Sequence, residues 1–166
     1  MAHAIFISEN CKYTDDGTRI RSVRLPASNI DNGTLVTLSG LEANQREVWT
    51  AALAAADATD VWMLASVEVA YDECVDKKGL SNFYNGINDS DTKKVAARAV
   101  KLAKGDIFGL TVGEATPVPD TIDVGEYIKQ AASGKFTAES AATGAFAKCI
   151  DKRLQTGVTY YTFEVL

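Results

Sequence analysis

The chain has 166 residues, a formal net charge of −5, and a composition that is 46% hydrophobic, 23% charged and 8% aromatic. These values are typical of one folded domain, and they exclude a disordered, collagen-like or coiled-coil chain. The acidic charge argues against a nucleic-acid partner, because phosphate contacts need a basic surface. We therefore expect a single domain over residues 1–166 with its own hydrophobic core.

The residues that carry most enzyme chemistry are scarce. His3 is the only histidine and lies at a terminus, so the sequence predicts no His-dependent acid–base, nucleophilic or zinc chemistry. The motifs of nucleotide-binding loops, nucleophile elbows and zinc proteases do not occur. Neighbouring carboxylates such as Asp15-Asp16 and Asp72-Glu73 lie in turn-like segments and predict solvated loop charges. We expect a protein that is not an enzyme and that uses no cofactor or metal.

Targeting signals and paired cysteines are both missing from the sequence. The first residues lack the basic and apolar regions of a signal peptide, and no apolar run approaches the roughly 20 residues of a membrane span. We expect a protein that is made in a cytoplasm and has no membrane partner. Cys11, Cys74 and Cys149 are odd in number and widely spaced, which predicts reduced, partly buried thiols.

The first predicted elements are a short strand and a turn. Residues 4–8 form an apolar run, and Asp15-Asp16-Gly17 is a turn signal. We interpret residues 1–17 as a candidate N-terminal arm that contains this strand.

The second predicted strand, residues 18–25, carries three arginines. Alternation along a strand places Arg19, Arg21, Val23 and Leu25 on one face and Ile20 and Arg24 on the other. Neither face is uniformly apolar, which is typical of an edge strand or of a strand that meets a partner.

Two further strands and one ambiguous segment follow. Asn32-Gly33 favours a type I′ hairpin turn before a strand over residues 34–38. Residues 60–66 predict a buried strand by their length and apolarity. In residues 47–56 the alanines favour a helix, whereas the run Val48-Trp49-Thr50 favours a strand, so both alternatives stay open.

Residues 70–94 differ from the rest of the chain. They form a polar, turn-rich stretch with isolated aromatic residues such as Phe83 and Tyr84. We predict a long excursion from the core, because loops of this length in compact domains are usually functional or contact-forming.

The second half contains two more ambiguous segments and a clear final strand. Residues 95–104 have helical propensity but also alternate as a strand before the apolar strand over residues 107–112. Residues 123–133 fit either a capped helix or a strand with a turn at Ser133-Gly134. In residues 159–165 alternate apolar side chains share one face, which predicts a strand. Several short strands with turns between them favour a barrel or a sandwich-like sheet.

Several stretches resemble small head proteins of tailed bacteriophages, the decoration or auxiliary capsid proteins. The resembling stretches, in chain order, are residues 4–10 (AIFISEN), 19–24 (RIRSVR), 32–41 (NGTLVTLSGL), 61–66 (VWMLAS), 71–73 (YDE), 104–111 (KGDIFGLT), 124–127 (VGEY) and 159–165 (TYYTFEV). The resemblance implies a mainly β (α+β) fold, with a small barrel or sandwich-like sheet and at most one or two short helices. It favours a hairpin over residues 97–112 and a strand near residues 124–127.

The same resemblance implies a structural function. It implies a virion protein, made in the bacterial host cytoplasm, that binds the outer surface of the capsid and stabilises the head. The implied partners are the phage major capsid protein and further copies of the chain on the capsid. The alternatives are another phage structural component, such as a minor capsid, neck or tail protein, and a carbohydrate-binding β-domain. The resemblance carries over no catalytic residue.

Candidate capsid contacts follow from residue type, because arginine and aromatic residues are favoured interface anchors. They are Ile5, Phe6, Arg19, Arg21, Arg24, Phe83 and Tyr84. The alternative for each is an ordinary core position or a solvated loop. Trp49 and Trp62 lie in apolar segments, which predicts core anchors rather than ligand-stacking residues.

Overall fold

The computed structural model describes residues 4–25, 30–66, 96–111, 117–119, 121–155 and 157–166. Within these ranges the chain forms eleven β-strands and three short 3₁₀ turns, and no α-helix. The strands are β1 (Phe6–Asn10), β2 (Ile20–Arg24), β3 (Leu35–Leu41), β4 (Val48–Leu53), β5 (Trp62–Leu64), β6 (Ala97–Val100), β7 (Ile107–Thr111), β8 (Tyr127–Gln130), β9 (Phe136–Glu139), β10 (Ala147–Gln155) and β11 (Val158–Val165). The predicted mainly β fold with a small barrel is confirmed.

Five strands close into a barrel in the order β2-β4-β3-β5-β6. Four of the five neighbouring pairs are antiparallel, and β2 runs parallel to β4. Alternate residues of each strand fill the interior, among them Val23, Val36, Ala51, Leu64 and Ala99. Because β2 pairs on both sides, the edge-strand alternative for residues 18–25 is wrong, and that of a strand that meets a partner stays a prediction.

The other six strands form an antiparallel sheet in the order β1-β7-β11-β10-β8-β9. Phe108 and Phe163 on one face of this sheet pack with Leu35, Met63 and Val100 from the barrel strands in one cluster. Residues of β3, β5 and β6 therefore contribute alternate side chains to two cores, one inside the barrel and one between barrel and sheet. The predicted final strand is confirmed as β11, with its alternate apolar residues buried.

The three ambiguous segments all contain strands. Residues 47–56 contain β4, residues 95–104 contain β6, and residues 123–133 contain β8. Alanines that favour a helix in isolation here lie in paired strands, since cross-strand packing overrides weak propensities. The Asp123 amide does donate to the Glu126 carboxylate at 2.8 Å, as in a capping box, but the contact closes a turn before β8.

The predicted hairpin over residues 97–112 is wrong. Its two strands exist, but β6 pairs with β2 and β5 in the barrel, whereas β7 pairs with β1 and β11 in the sheet. The turn at Lys104-Gly105 forms, with Gly105 at φ +83°. The buried carboxylate of Asp106 accepts from the amides of Ala103 and Lys12, so the turn connects the two sheets.

The Asn32-Gly33 turn also forms, but it does not join paired strands. Gly33 has φ +82°, but Asn32 lacks the positive φ that a type I′ turn also needs, so the predicted turn type is wrong. The strand β3 follows the turn and pairs with β4 and β5, so the predicted hairpin is wrong as well. The Asn32 side chain is buried and exchanges two hydrogen bonds with the backbone of Ser66, which ties the turn to the end of β5.

The N-terminal segment contributes a strand to the six-stranded sheet. β1 pairs with β7, and Tyr13 is buried in the core between sheet and barrel. A contact arm over residues 1–17 stays a prediction, and its described part is an integral strand followed by 3₁₀ turns. The predicted excursion over residues 70–94 lies outside the described residues.

Candidate interaction site

The candidate site lies at one end of the barrel, where strand alternation brings Arg21. Val23 and Leu25 belong to the cluster that fills the barrel. Arg21 precedes Val23 by two residues and therefore lies on the same face of β2. A guanidinium is costly to bury without compensation, so we assign this inward position to the mouth of the barrel, where Arg21 is half-buried.

The Arg21 guanidinium lies over the rings of two tryptophans. Its Cζ atom is 5.4 Å from the centroid of Trp62 and 5.9 Å from that of Trp49, both within cation–π range. Nη1 of Arg21 donates to the carbonyl of Ile20 at 2.9 Å. Trp62 is only 7% exposed and is the core anchor that was predicted, whereas Trp49 is half-buried. Arg21 thus covers the indoles at the barrel mouth.

A groove of about 370 Å³ lies beside this cluster, here called the mouth groove. It is lined by Ile20, Arg21, Ser22, Leu41, Arg46, Glu47 and Trp49. The barrel wall is incomplete at this position because the pairing of β2 with β4 starts only at Ser22, opposite Val48. Leu41, at the end of β3, is 52% exposed in the groove.

The mouth groove carries more positive than negative charge. Its lining has two arginines and one glutamate, and neither Arg21 nor Arg46 forms an ion pair with a described carboxylate. The two other arginines of the predicted set differ. Arg24 pairs with Glu42 at 3.0 Å, and Arg19 pairs with Asp16 at 3.4 Å.

The predicted contact residues do not form one surface. Arg19, Arg21 and Arg24 lie in or next to the barrel strand β2, whereas Ile5 and Phe6 belong to the six-stranded sheet. Ile5 is partly exposed, and its amide donates to the Thr111 hydroxyl at 2.7 Å. Phe6 stacks on Phe108, with the ring centroids 5.8 Å apart, and is therefore a core residue. Phe83 and Tyr84 lie outside the described residues.

Leu41 and Arg46 are groove residues that were not predicted, and Trp49 was predicted only as a core anchor. The strand predicted to end at Leu38 continues to Leu41 through a bulge between Leu38 and Gly40. The signal for Leu41 was the apolar residue directly after Ser39-Gly40, which a longer strand would have placed at the rim. Arg46 carries no signal, because its position depends on the loop between β3 and β4.

A second cleft of about 310 Å³ lies between the barrel and the sheet. Its apolar lining includes Leu35, Met63 and Val165, which are buried. At its rim Lys101 pairs with Asp60 at 2.5 Å, and Lys104 forms no ion pair with a described residue.

The described residues offer little reactive chemistry. Cys11 and Cys149 are free and buried, and burial raises the pKa of their thiols to about 12 and about 11, so both stay protonated at neutral pH. In this part of the chain no group of three or more His, Cys, Asp or Glu side chains is placed to hold a metal ion. Among the same residues, no helix has the length and apolar character needed to span a bilayer.

No protein-family model matches the chain, and the searches of curated proteins and of solved structures find no match either.

Proposed function

We propose that this protein is a virion structural protein that binds the outer surface of a phage capsid and stabilises the head. The observation that carries the proposal is the mouth groove, in which Leu41, Trp49 and two arginines without described ion-pair partners lie together. Exposed aromatic, aliphatic and arginine side chains on a rigid element are the usual anchors of a protein interface. The sequence resemblance to decoration proteins supplies the capsid as the partner.

The scaffold suits a role in binding. A closed barrel has no free strand edge, and its shared core with the six-stranded sheet fixes the strand residues of the mouth groove, while Arg46 and Glu47 come from the loop between β3 and β4. A bound protein stabilises a capsid by adding buried contact area between neighbouring capsid subunits. A stable interface buries about 1,600 Å², so the mouth groove would be the anchor of a wider contact that includes self-association on the capsid.

Co-sedimentation with capsids tests the proposal directly. Purified protein is mixed with shells of the cognate major capsid protein that lack it, and the bound fraction is measured over a concentration series. We expect saturable binding at a stoichiometry of hundreds of copies per shell. No co-sedimentation at micromolar protein would refute capsid binding.

Copy number separates decoration from the closest alternative, a minor capsid, neck or tail protein. Quantitative mass spectrometry of purified virions should find hundreds of copies for a decoration protein. A handful of copies would favour the alternative. A carbohydrate-binding role is less well supported, because Trp62 is buried and only Trp49 lines the groove.

A further inference from the structure

We propose that the mouth groove binds a carboxylate side chain and an adjacent large apolar side chain on an extended segment of a partner protein. Where the partner is the capsid protein, this inference rests on the proposed function and names the chemistry that the groove recognises. Three features of the groove support this ligand: the free N–H donors of Arg21, a second cation, and an apolar wall.

Arg21 has N–H donors that are not used in hydrogen bonds to described residues. A guanidinium carries five N–H groups in its plane, and one of its nitrogens donates to the Ile20 carbonyl. Contact with the indoles of Trp49 and Trp62 is an electrostatic attraction to the ring faces and uses none of the hydrogen bonds that the N–H groups can donate. No described carboxylate pairs with Arg21, so the remaining N–H groups can donate to a carboxylate in the groove.

The charge of the lining favours a single carboxylate. Arg46 adds a second cation that forms no ion pair with a described residue, and Glu47 reduces the net charge of the lining to one positive unit. A carboxylate compensates that charge, whereas a polyanion would also meet Glu47. The half-buried position of Arg21 strengthens the pairing, because a charge–charge hydrogen bond is screened less when it is partly shielded from water.

The apolar part of the groove lies next to these cations. Leu41 is half exposed and Trp49 is half-buried, so a partner side chain would remove apolar surface from water at both. The volume of about 370 Å³ is at the small end for a binding site and holds side chains rather than a folded element. An Asp or Glu next to Leu, Ile, Phe or Met in an extended segment fits this arrangement.

A single-stranded nucleic acid is the main competing ligand, because an aromatic ring beside arginines can also stack a base. The net charge of −5 and the glutamate in the groove make that ligand less favourable. The test therefore includes it as an outcome.

Titration of the ¹⁵N-labelled full-length protein tests the ligand chemistry. The probes are the blocked peptide acetyl-Gly-Glu-Leu-Gly-amide, its counterpart with Gln in place of Glu, and a short oligothymidylate. The indole N–H signals are assigned with the variant Trp49→Phe, and the Arg21 Nε–H signal with Arg21→Lys. We expect the Glu peptide to shift the Trp49 and Arg21 signals saturably, with about tenfold weaker binding of the Gln peptide.

Two groove variants and one control complete the experiment. Arg46→Gln changes an exposed residue and should weaken binding of the Glu peptide without affecting folding, and Arg21→Lys should weaken it further because the bidentate fork is lost. Lys104→Gln, at the rim of the other cleft, removes an unpaired cation and should leave the affinity unchanged.

Three results would overturn the inference. They are no saturable shift with the Glu peptide, equal affinity for the Gln peptide, and tighter binding of the oligothymidylate. These results would not by themselves refute capsid binding, which co-sedimentation tests separately. Conversely, saturable peptide binding together with no co-sedimentation would refute capsid binding and support the groove chemistry.

Discussion

At the residue scale, the arrangement at the barrel mouth depends on the position of one cation. Arg21 follows the inward alternation of β2, where an apolar residue would be expected, and its guanidinium lies over two indoles instead. Each cation–π contact is worth about 0.5–1 kcal/mol at a partly exposed site. Arg21 therefore stabilises the barrel and also offers charge to the mouth groove.

Replacing Arg21 by alanine should lower the free energy of unfolding by about 1–2 kcal/mol, because two cation–π contacts are lost. The replacement should also shift tryptophan emission to longer wavelength, as water reaches the indoles. Urea unfolding followed by tryptophan fluorescence measures both effects. Arg46→Ala is the matched control, since Arg46 lies in the same groove but forms no cation–π contact with either indole. Equal stability of the two variants would contradict this role of Arg21.

Two glycines with positive φ should respond differently to alanine. Gly134 has φ +70°, and a Cβ there would overlap the carbonyl oxygen of Leu35. Gly157 has φ +80°, but no heavy atom lies within 4 Å of an added Cβ. Gly157→Ala should cost about 1–2 kcal/mol of stability for the left-handed backbone, whereas Gly134→Ala should cost clearly more because backbone must also move. Thermal unfolding compares them, and similar Tm values would show that the overlap is relieved at no cost.

The two buried thiols should make stability fall at high pH. Burial raises the pKa of Cys11 to about 12 and that of Cys149 to about 11, from an ordinary value of 9.0. An unfolded thiol loses its proton at lower pH than a folded one, so their contribution is complete below pH 9 and is lost as pH rises through 11 to 12. Urea unfolding at rising pH should show a smaller decline in the double variant Cys11→Ala, Cys149→Ala. Parallel declines in both proteins would refute the assignment.

At the element scale, β1 belongs to the predicted contact arm and is also a paired strand of the sheet, so its removal affects both contact and folding. Deleting residues 1–10 would be the natural test of a contact arm, but it would remove β1 and the stacking of Phe6 on Phe108. Loss of capsid binding in that truncation could therefore result either from unfolding or from the loss of a contact surface. Single substitutions in β1 and just before it separate the two effects.

Adjacent residues at the start of β1 should show this separation. Phe6→Ala should destabilise the fold by about 2–3 kcal/mol, because a half-buried ring leaves the core between sheet and barrel. Ile5→Ala removes a partly exposed side chain and should cost less than about 1 kcal/mol. Urea unfolding measures both, and co-sedimentation of the Ile5 variant with capsid shells then tests contact alone. A stability loss at Ile5 equal to that at Phe6 would mean that both side chains belong to the core.

The hairpin prediction over residues 97–112 shows a limit of local patterns at the same scale. The turn and both strands were predicted from residues within a few positions of each other. Their partners were not, because β6 pairs with β2 about 75 positions earlier and β7 pairs with β11 about 50 positions later. Turn chemistry at Gly105 is the same whether the chain returns along its own sheet or crosses to the other.

At the scale of the whole molecule, the barrel and the six-stranded sheet share one core. The outward side chains of β3, β5 and β6 cover the inner face of the sheet, so neither unit buries its apolar surface without the other. This packing leaves the mouth groove at one end of the barrel, outside the core that barrel and sheet share. A partner can reach the groove there without opening that core.

The sequence by itself determined the strand-rich fold, the turns at Gly33 and Gly105, the buried alternation of the final strand and the free state of Cys11 and Cys149. These features depend on the backbone conformation and side-chain chemistry of a few neighbouring residues, and a local sequence pattern carries that information. The tertiary structure alone decided strand pairing, the separation of β6 from β7 and the meeting of Arg21 with Trp49, Leu41 and Arg46. Such contacts join residues far apart in the chain, and their energy depends on which surfaces are already packed.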